Sequence, residues 1–194
     1  MGPLCMVQRG LFYLLEVGWP IVNSLPRVIK KQTMEKKSIA IDITVYAGLD
    51  EMSPADADLL RQAREVTAQA YAPYSHFHVG AVALLANGQT VSGTNQENAS
   101  YPVGICAERV LLSVAASLFP GVPIQTMAIS YHNMLGESKR PVSPCGICRQ
   151  SLVEFEDRTK TPIRLILSGM EGPVQIIEKA GQLLPFGFTA ADME

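Results

Sequence analysis

The chain lacks a basic surplus. Its 16 Lys and Arg are outnumbered by 18 Asp and Glu, a formal charge of −2, so no electrostatic footprint for a nucleic-acid backbone runs along it. Lys30, Lys31, Lys36 and Lys37 form one basic cluster, which reads as a solvated linker. Aromatic residues are sparse at 7%, which removes the stacking platform that single-stranded nucleic acid needs. Long apolar runs are missing too. Leu11 to Val22 comes nearest, but Glu16 and Pro20 interrupt it. It is too short for a bilayer, and no small-residue cleavage site marks a signal peptide. With 4 cysteines in 194 residues, the chain does not resemble a small secreted disulfide scaffold. No internal repeat or low-complexity tract is evident.

What is present is enough apolar content, 47%, for one globular domain with a sizeable core. Met34-Glu-Lys-Lys37 looks like a natural start. Residues 1–33 then become an extension outside the core, with Cys5 given no role, and 34–194 the domain. A Cys-x-x-Cys pair in such a chain indicates metal binding or redox chemistry rather than a disulfide framework. Reduced thiols and a cytoplasmic location are the expectation.

Ser38 to Val45 alternates, with Ile39, Ile41, Ile43 and Val45 on one side, and predicts a half-buried edge strand. Ser53-Pro-Ala-Asp56 supplies an N-cap and a first-turn proline for a helix to about Ala70. Its buried stripe is Leu59, Ala63, Val66 and Ala70. Phe77 to Leu85 predicts a strand. Asn87-Gly88 signals a type I′ hairpin, and Gln89 to Thr94 the returning strand. Helices are expected over about Ile105–Leu118 and Cys145–Glu156, and strands over Ile124–Tyr131, Pro162–Leu167 and Val174–Glu178. The first of these helices is apolar on most faces, which places it against the sheet and at a subunit interface. Alternating strands and helices with one hairpin give an α/β layered domain with a mixed sheet.

The chemistry concentrates in two helix starts. Gly93-Thr-Asn-Gln-Glu-Asn-Ala-Ser-Tyr-Pro-Val-Gly-Ile-Cys-Ala-Glu-Arg109 runs from a polar loop into one, and Ser143-Pro-Cys-Gly-Ile-Cys-Arg-Gln150 opens the other. Cys106, Cys145 and Cys148 offer three sulfurs. A catalytic zinc takes three protein ligands and leaves a fourth position open. Two helix N-termini would favour the thiolates. Three thiolates outweigh the charge of Zn²⁺, and Arg109 with Arg149 could offset the excess by donating to sulfur. Glu108, two residues from a ligand, is placed to move protons.

Cys106-Ala-Glu108 with Pro144-Cys-x-x-Cys148 resembles the signature of zinc nucleobase deaminases in its all-cysteine form. With Tyr74-Ser-His-Phe-His-Val-Gly80 and Asn95-Gln-Glu-Asn-Ala-Ser-Tyr101 added, Leu59 to Phe188 looks like the small homotetrameric cytidine deaminases. The resemblance implies a three-layer α-β-α fold with a mixed five-stranded sheet. It implies hydrolytic deamination of cytidine and 2′-deoxycytidine in pyrimidine salvage, zinc-bound hydroxide attacking C4 while Glu108 shuttles protons. Asn95 and Glu97 would bind the ribose hydroxyls, Phe77 the base and the Ala107 N–H the C2 carbonyl. Phe188 would complete a neighbouring subunit's pocket. Phe186-Gly187 before it departs from the pattern and leaves open which aromatic arrives there. The partners implied are a nucleoside and three further copies of the chain, with no nucleic acid and no membrane.

Blander readings remain on the residues alone. Cys145 and Cys148 could be a redox pair, or part of a structural zinc completed by His132 or Cys5. Phe77 could be core, Asn95 and Glu97 loop caps, and Phe188 simple packing. His76 and His78 read as hydrogen-bonded structural residues. A zinc-stabilised binding module would not need Glu108, and a deaminase of another nucleoside-like compound would not need the ribose pair.

Overall fold

The computed structural model describes residues 34–193, so the expectations for residues 1–33, Cys5 among them, lie outside the described part. Among the described residues, every helix and strand lies in the unit that begins at Ser38. Nine main elements follow in order: β1 (Thr44–Tyr46), α1 (Pro54–Val66), β2 (Phe77–Leu85), β3 (Thr90–Thr94), α2 (Ala107–Leu118), β4 (Ile124–Asn133), α3 (Gly146–Thr159), β5 (Arg164–Ser168) and β6 (Val174–Ile177).

The strands form one mixed sheet in the order β1-β6-β5-β4-β2-β3. Only β4 and β5 run parallel, because α3 lies between them as the crossover that a parallel pair requires. Side chains alternate across the sheet and supply two cores. Val82, Ala128, Ile166 and Ile176 face α1 and pack on Leu59, Leu60 and Ala63. Ala81, Ala83, Met127, Ile129, Leu165 and Leu167 face the other way and meet Leu111, Leu112, Leu152 and Phe155 of α2 and α3. The result is the expected three-layer α-β-α arrangement. Each fully buried Leu or Ile contributes about 1.5–3 kcal/mol through burial.

Two glycines set how closely the helices approach. A Cβ on Gly80 would stand 2.4 Å from the Ala63 carbonyl oxygen, and one on Gly93 would stand 2.6 Å from that of Ala107. Backbone therefore lies on backbone at α1–β2 and at α2–β3. Ser53 caps α1 as expected, its Oγ accepting from the Asp56 N–H at 3.2 Å.

Three expectations need correction. The sheet has six strands, not five, the additional one being the three-residue edge strand β1. The predicted strand over Ser38–Val45 shrinks to that remnant, and Ile39, Ile41, Ile43 and Val45 are exposed. Its sole partner is β6, whose register with β1 begins at Thr44↔Ile176, so the earlier isoleucines have no ladder to join. The hairpin is not type I′ either. Gly88 alone in the turn has positive φ, +81°. Its N–H donates to the Leu85 carbonyl, while the Leu85 N–H donates to that of Gln89. This is the three-residue connection in which a left-handed glycine forms a bulge.

Candidate metal centre and active site

Cys106 and Cys145 are the N-cap residues of α2 and α3, with extended backbone at φ −75° and −67°. Neither side chain caps its helix. Their carbonyls accept the first bonds of each helix, from the N–H groups of Arg109 and Val110 and of Arg149. Both sulfurs are left free, directed from the positive ends of two helix dipoles. Cys148 is buried in the first turn of α3.

The three Sγ atoms come together. Cys106 to Cys145 is 3.8 Å and Cys145 to Cys148 is 3.5 Å, and all three lie within 4.8 Å of one another. Sulfurs at tetrahedral corners ~2.3 Å from a zinc ion stand roughly 3.8 Å apart, so the donor set fits the ion in both chemistry and spacing. Without a metal the cluster shares its protons unevenly. Hydrogen bonding from Cys148 holds the Cys106 thiol down to about 6, against desolvation and the Glu108 charge, with Cys145 and Arg109 also lowering it. Cys148 is pushed up by its hydrogen bond to Cys106, then by burial and by Glu108. Cys106 thus gives up its proton ahead of Cys148.

Glu108 is 5% exposed. Burial drives its carboxyl upward, opposed by its own backbone N–H and by Cys148. It lines a cavity of about 320 Å³ together with Phe77, Asn95, Glu97, Cys106, Ala107 and Cys145. Residues drawn from β2, the loop after β3 and the starts of α2 and α3 therefore face one space.

Asn95 is bound more tightly than the sequence suggests. Its Oδ1 accepts from the Val79 N–H at 2.7 Å and its Nδ2 donates to the Phe77 carbonyl at 2.9 Å, so it fixes the first turnings of β2. One N–H and one lone pair remain. Glu97 Oε2 accepts from the backbone N–H groups of Tyr74 and Ser75 at 2.9 and 3.3 Å. Desolvation acts upward on this carboxyl, but the Ser75 hydroxyl, these two N–H groups and His76 hold it below its ordinary value.

The arginines lie differently from expectation. Arg149 donates from Nε to the Pro144 carbonyl at 2.8 Å and from Nη1 to that of Leu183 at 3.2 Å, and makes no hydrogen bond to sulfur. It braces the peptide before Cys145. Arg109 also makes no hydrogen bond to sulfur, and its influence on Cys106 is that of a nearby charge. Phe186 and Phe188 are 90% and 59% exposed and do not line the cavity of their own chain. The sequence alone assigns no role to Gln150. It grips the tail, Nε2 donating to the Phe188 carbonyl at 2.6 Å while its Oε1 accepts the Phe188 N–H. The sequence marks Tyr131 only as a strand end, yet it lines the cavity.

The three-layer fold thus brings three thiols to zinc spacing, with a buried carboxylate and a cavity sized for a small molecule beside them, the parts of a hydrolytic metal site. The family model described as "Cytidine and deoxycytidylate deaminase zinc-binding region" matches residues 53–162. The chain belongs to this cytidine and deoxycytidylate deaminase family, and zinc is its metal, with Cys106, Cys145 and Cys148 as the fitting cluster. It is 38% identical over 135 residues to a cytidine deaminase of Halalkalibacterium halodurans, spanning 70% of this chain and 95% of the relative. The crystal structure of cytidine deaminase from Burkholderia pseudomallei superposes with a TM-score of 0.60 at 35% identity, covering 71% of this chain and 100% of that one. A cytidine deaminase structure from Mycobacterium tuberculosis gives 0.53 at 30% identity, over 68% and 95%. Among the described residues no helix is long and apolar enough to cross a membrane.

Proposed function

We propose that this chain deaminates cytidine and 2′-deoxycytidine hydrolytically, releasing ammonia and leaving uridine and 2′-deoxyuridine, as part of pyrimidine salvage. The observation that carries the reading is the buried Glu108 sharing one cavity with Cys106 and Cys145, two of the three clustered thiols. Zinc, when bound by Cys106, Cys145 and Cys148, supplies a Lewis acid that brings water's proton within reach of a carboxylate at neutral pH.

Glu108 takes that first proton and gives it to N3 of the pyrimidine as the water oxygen bonds to C4. It then takes the second proton from the C4 hydroxyl and gives it to the amine, which leaves as ammonia while the C4 carbonyl forms. Its burial raises its basicity, which suits a group that must both accept and give a proton. The Ala107 N–H belongs to the first turn of α2, has no intrahelical acceptor, and donates to the C2 carbonyl. Phe77 packs against the base. Glu97 keeps Oε1 for a ribose hydroxyl, and Asn95 offers its remaining donor and acceptor to the other. Arg109 offsets part of the surplus negative charge of three thiolates through its proximity, and Arg149 fixes the turn that aims Cys145.

The same reading makes the protein a homotetramer with pockets at subunit interfaces, in the cytoplasm. The outward exposure of Phe186 and Phe188 supports it, and we assign Phe188 to the neighbouring pocket because Gln150 anchors its backbone. The domain is taken as residues 34–194, with 1–33 as an extension.

Ultraviolet absorbance of the purified protein with cytidine, deoxycytidine, adenosine and CMP, beside a zinc assay, tests the proposal. Ammonia release is expected from the two pyrimidine nucleosides and from neither of the others. A zinc-loaded protein inert toward both nucleosides would refute it.

A further inference from the structure

The geometry points to Tyr131 as a positioning residue for the base pocket: its ring backs Phe77 and presents that ring's opposite face to the pyrimidine. This rests on the cytidine reading above. Tyr131 stands on β4 opposite Val79 of β2, one diagonal from Phe77 and on the same sheet face. Its ring lies on that of Phe77 with centroids 4.6 Å apart and planes only 12° from parallel. Tyr131 is 5% exposed, and both rings line the cavity that holds Cys106 and Glu108.

Phe77 needs such a support. It is the first residue of β2, it follows His76 at φ +54°, and it is only half-buried. A ring in that position is free to turn about χ2 unless something flat lies against it. Tyr131 supplies the flat surface. Asn95 holds the backbone of the same residue through the Phe77 carbonyl, so main chain and ring are fixed from two directions. A planar ring has two faces, and Tyr131 covers one. The other is left for a planar ligand, with the orientation set before binding, which reduces the ordering cost of association. The Tyr131 hydroxyl makes no hydrogen bond among the described residues, so the stack depends on the ring and not on the oxygen.

The test uses full-length, zinc-loaded protein carrying Tyr131→Phe or Tyr131→Leu. It measures kcat and KM for cytidine, and Kd for uridine by calorimetry, a readout that needs no turnover. For Tyr131→Leu, KM and the uridine Kd should rise about 3- to 10-fold, the range of an aromatic pair. Its kcat and zinc content should stay within about twofold of the parent, since a lost pre-binding orientation acts on affinity. Tyr131→Phe should match the parent in all four quantities, and this arm stands even if the leucine variant fails to fold. Unchanged KM and Kd in the leucine variant would overturn the inference. So would a phenylalanine variant as weak as the leucine one, or a loss confined to kcat. A parent protein that binds uridine and deaminates cytidine, with variants like it, refutes the role of Tyr131 alone. A parent that does neither refutes the cytidine reading and this inference with it.

Discussion

The sulfurs of Cys106 and Cys145 lie 3.8 Å apart, each on the residue that begins its own helix. Neither thiol is used to cap, although the N-cap position ordinarily recruits a side-chain acceptor. Both helix starts thus give up a local hydrogen bond and keep a ligand. An ion bridging them ties α2 to α3 at the point where the sheet alone does not.

Metal removal should therefore loosen the fold as well as stop turnover. Cys106→Ala is expected to lower bound zinc from about one per chain to near zero. Thermal unfolding of the parent should shift upward with added zinc, by the equivalent of about 4 kcal/mol at a thousandfold excess over Kd. The variant should show no such shift. A variant that retains its zinc would contradict the ligand assignment.

Glu108→Gln should separate binding from chemistry. It keeps the shape of the side chain and loses the proton acceptor, so kcat should fall roughly 10²- to 10⁴-fold with zinc content unchanged. Residual activity near the parent value would move the proton transfer to another group.

Acid sensitivity should be traceable to Asp56. Its carboxylate receives two hydrogen bonds from Arg164, at 2.6 and 3.0 Å. Burial raises this carboxyl, but Arg164 and Ser53 outweigh it and the net direction is downward. The contribution to stability is thus fully present above the ordinary Asp value near ~3.9 and fades as pH falls through the lower folded value. Asp56→Asn should cost on the order of 1–2 kcal/mol at pH 7. Its urea midpoint should vary less than the parent's below about pH 4. Parallel curves for the two proteins would show that the pair contributes nothing.

Gly93→Ala should disturb the site from outside it. The added methyl meets the Leu111 nitrogen at 2.5 Å and the Ala107 carbonyl at 2.6 Å, both backbone atoms that cannot turn aside. Overpacking of this kind costs about 1–3 kcal/mol. Because Ala107 and Glu108 begin the displaced helix, kcat should drop along with Tm. A fall in Tm with kcat intact would mean that the helix tilts about its first turn.

Much of the site was legible because its chemistry is local. Cys145 and Cys148 share one turn, Glu108 follows Cys106 by two positions, and such spacings survive any tertiary arrangement. The five strands from β2 to β6 and the three helices were likewise marked by their apolar patterning and by Ser53-Pro54. What escaped was set by register. Tyr131 meets Phe77 only because β2 and β4 pair as they do, and nothing near either residue announces it. The Ile39, Ile41, Ile43 alternation promised a buried face, but burial depends on a partner strand that β6 is too short to provide. Asn87-Gly88 fits two hairpin geometries, and the bonds at Leu85 select the longer one. Arg149 turned to the carbonyls of Pro144 and Leu183 because these lie within reach of its fork, a fact of the chain's return path.

Gln150 occupies the helix that carries Cys145 and Cys148, and holds both polar atoms of the Phe188 backbone. No slack loop separates the ligand-bearing turn from the aromatic tail. Any tilt imposed on that helix at its sulfur end must travel to residues 186–188 as a lever moves its far arm.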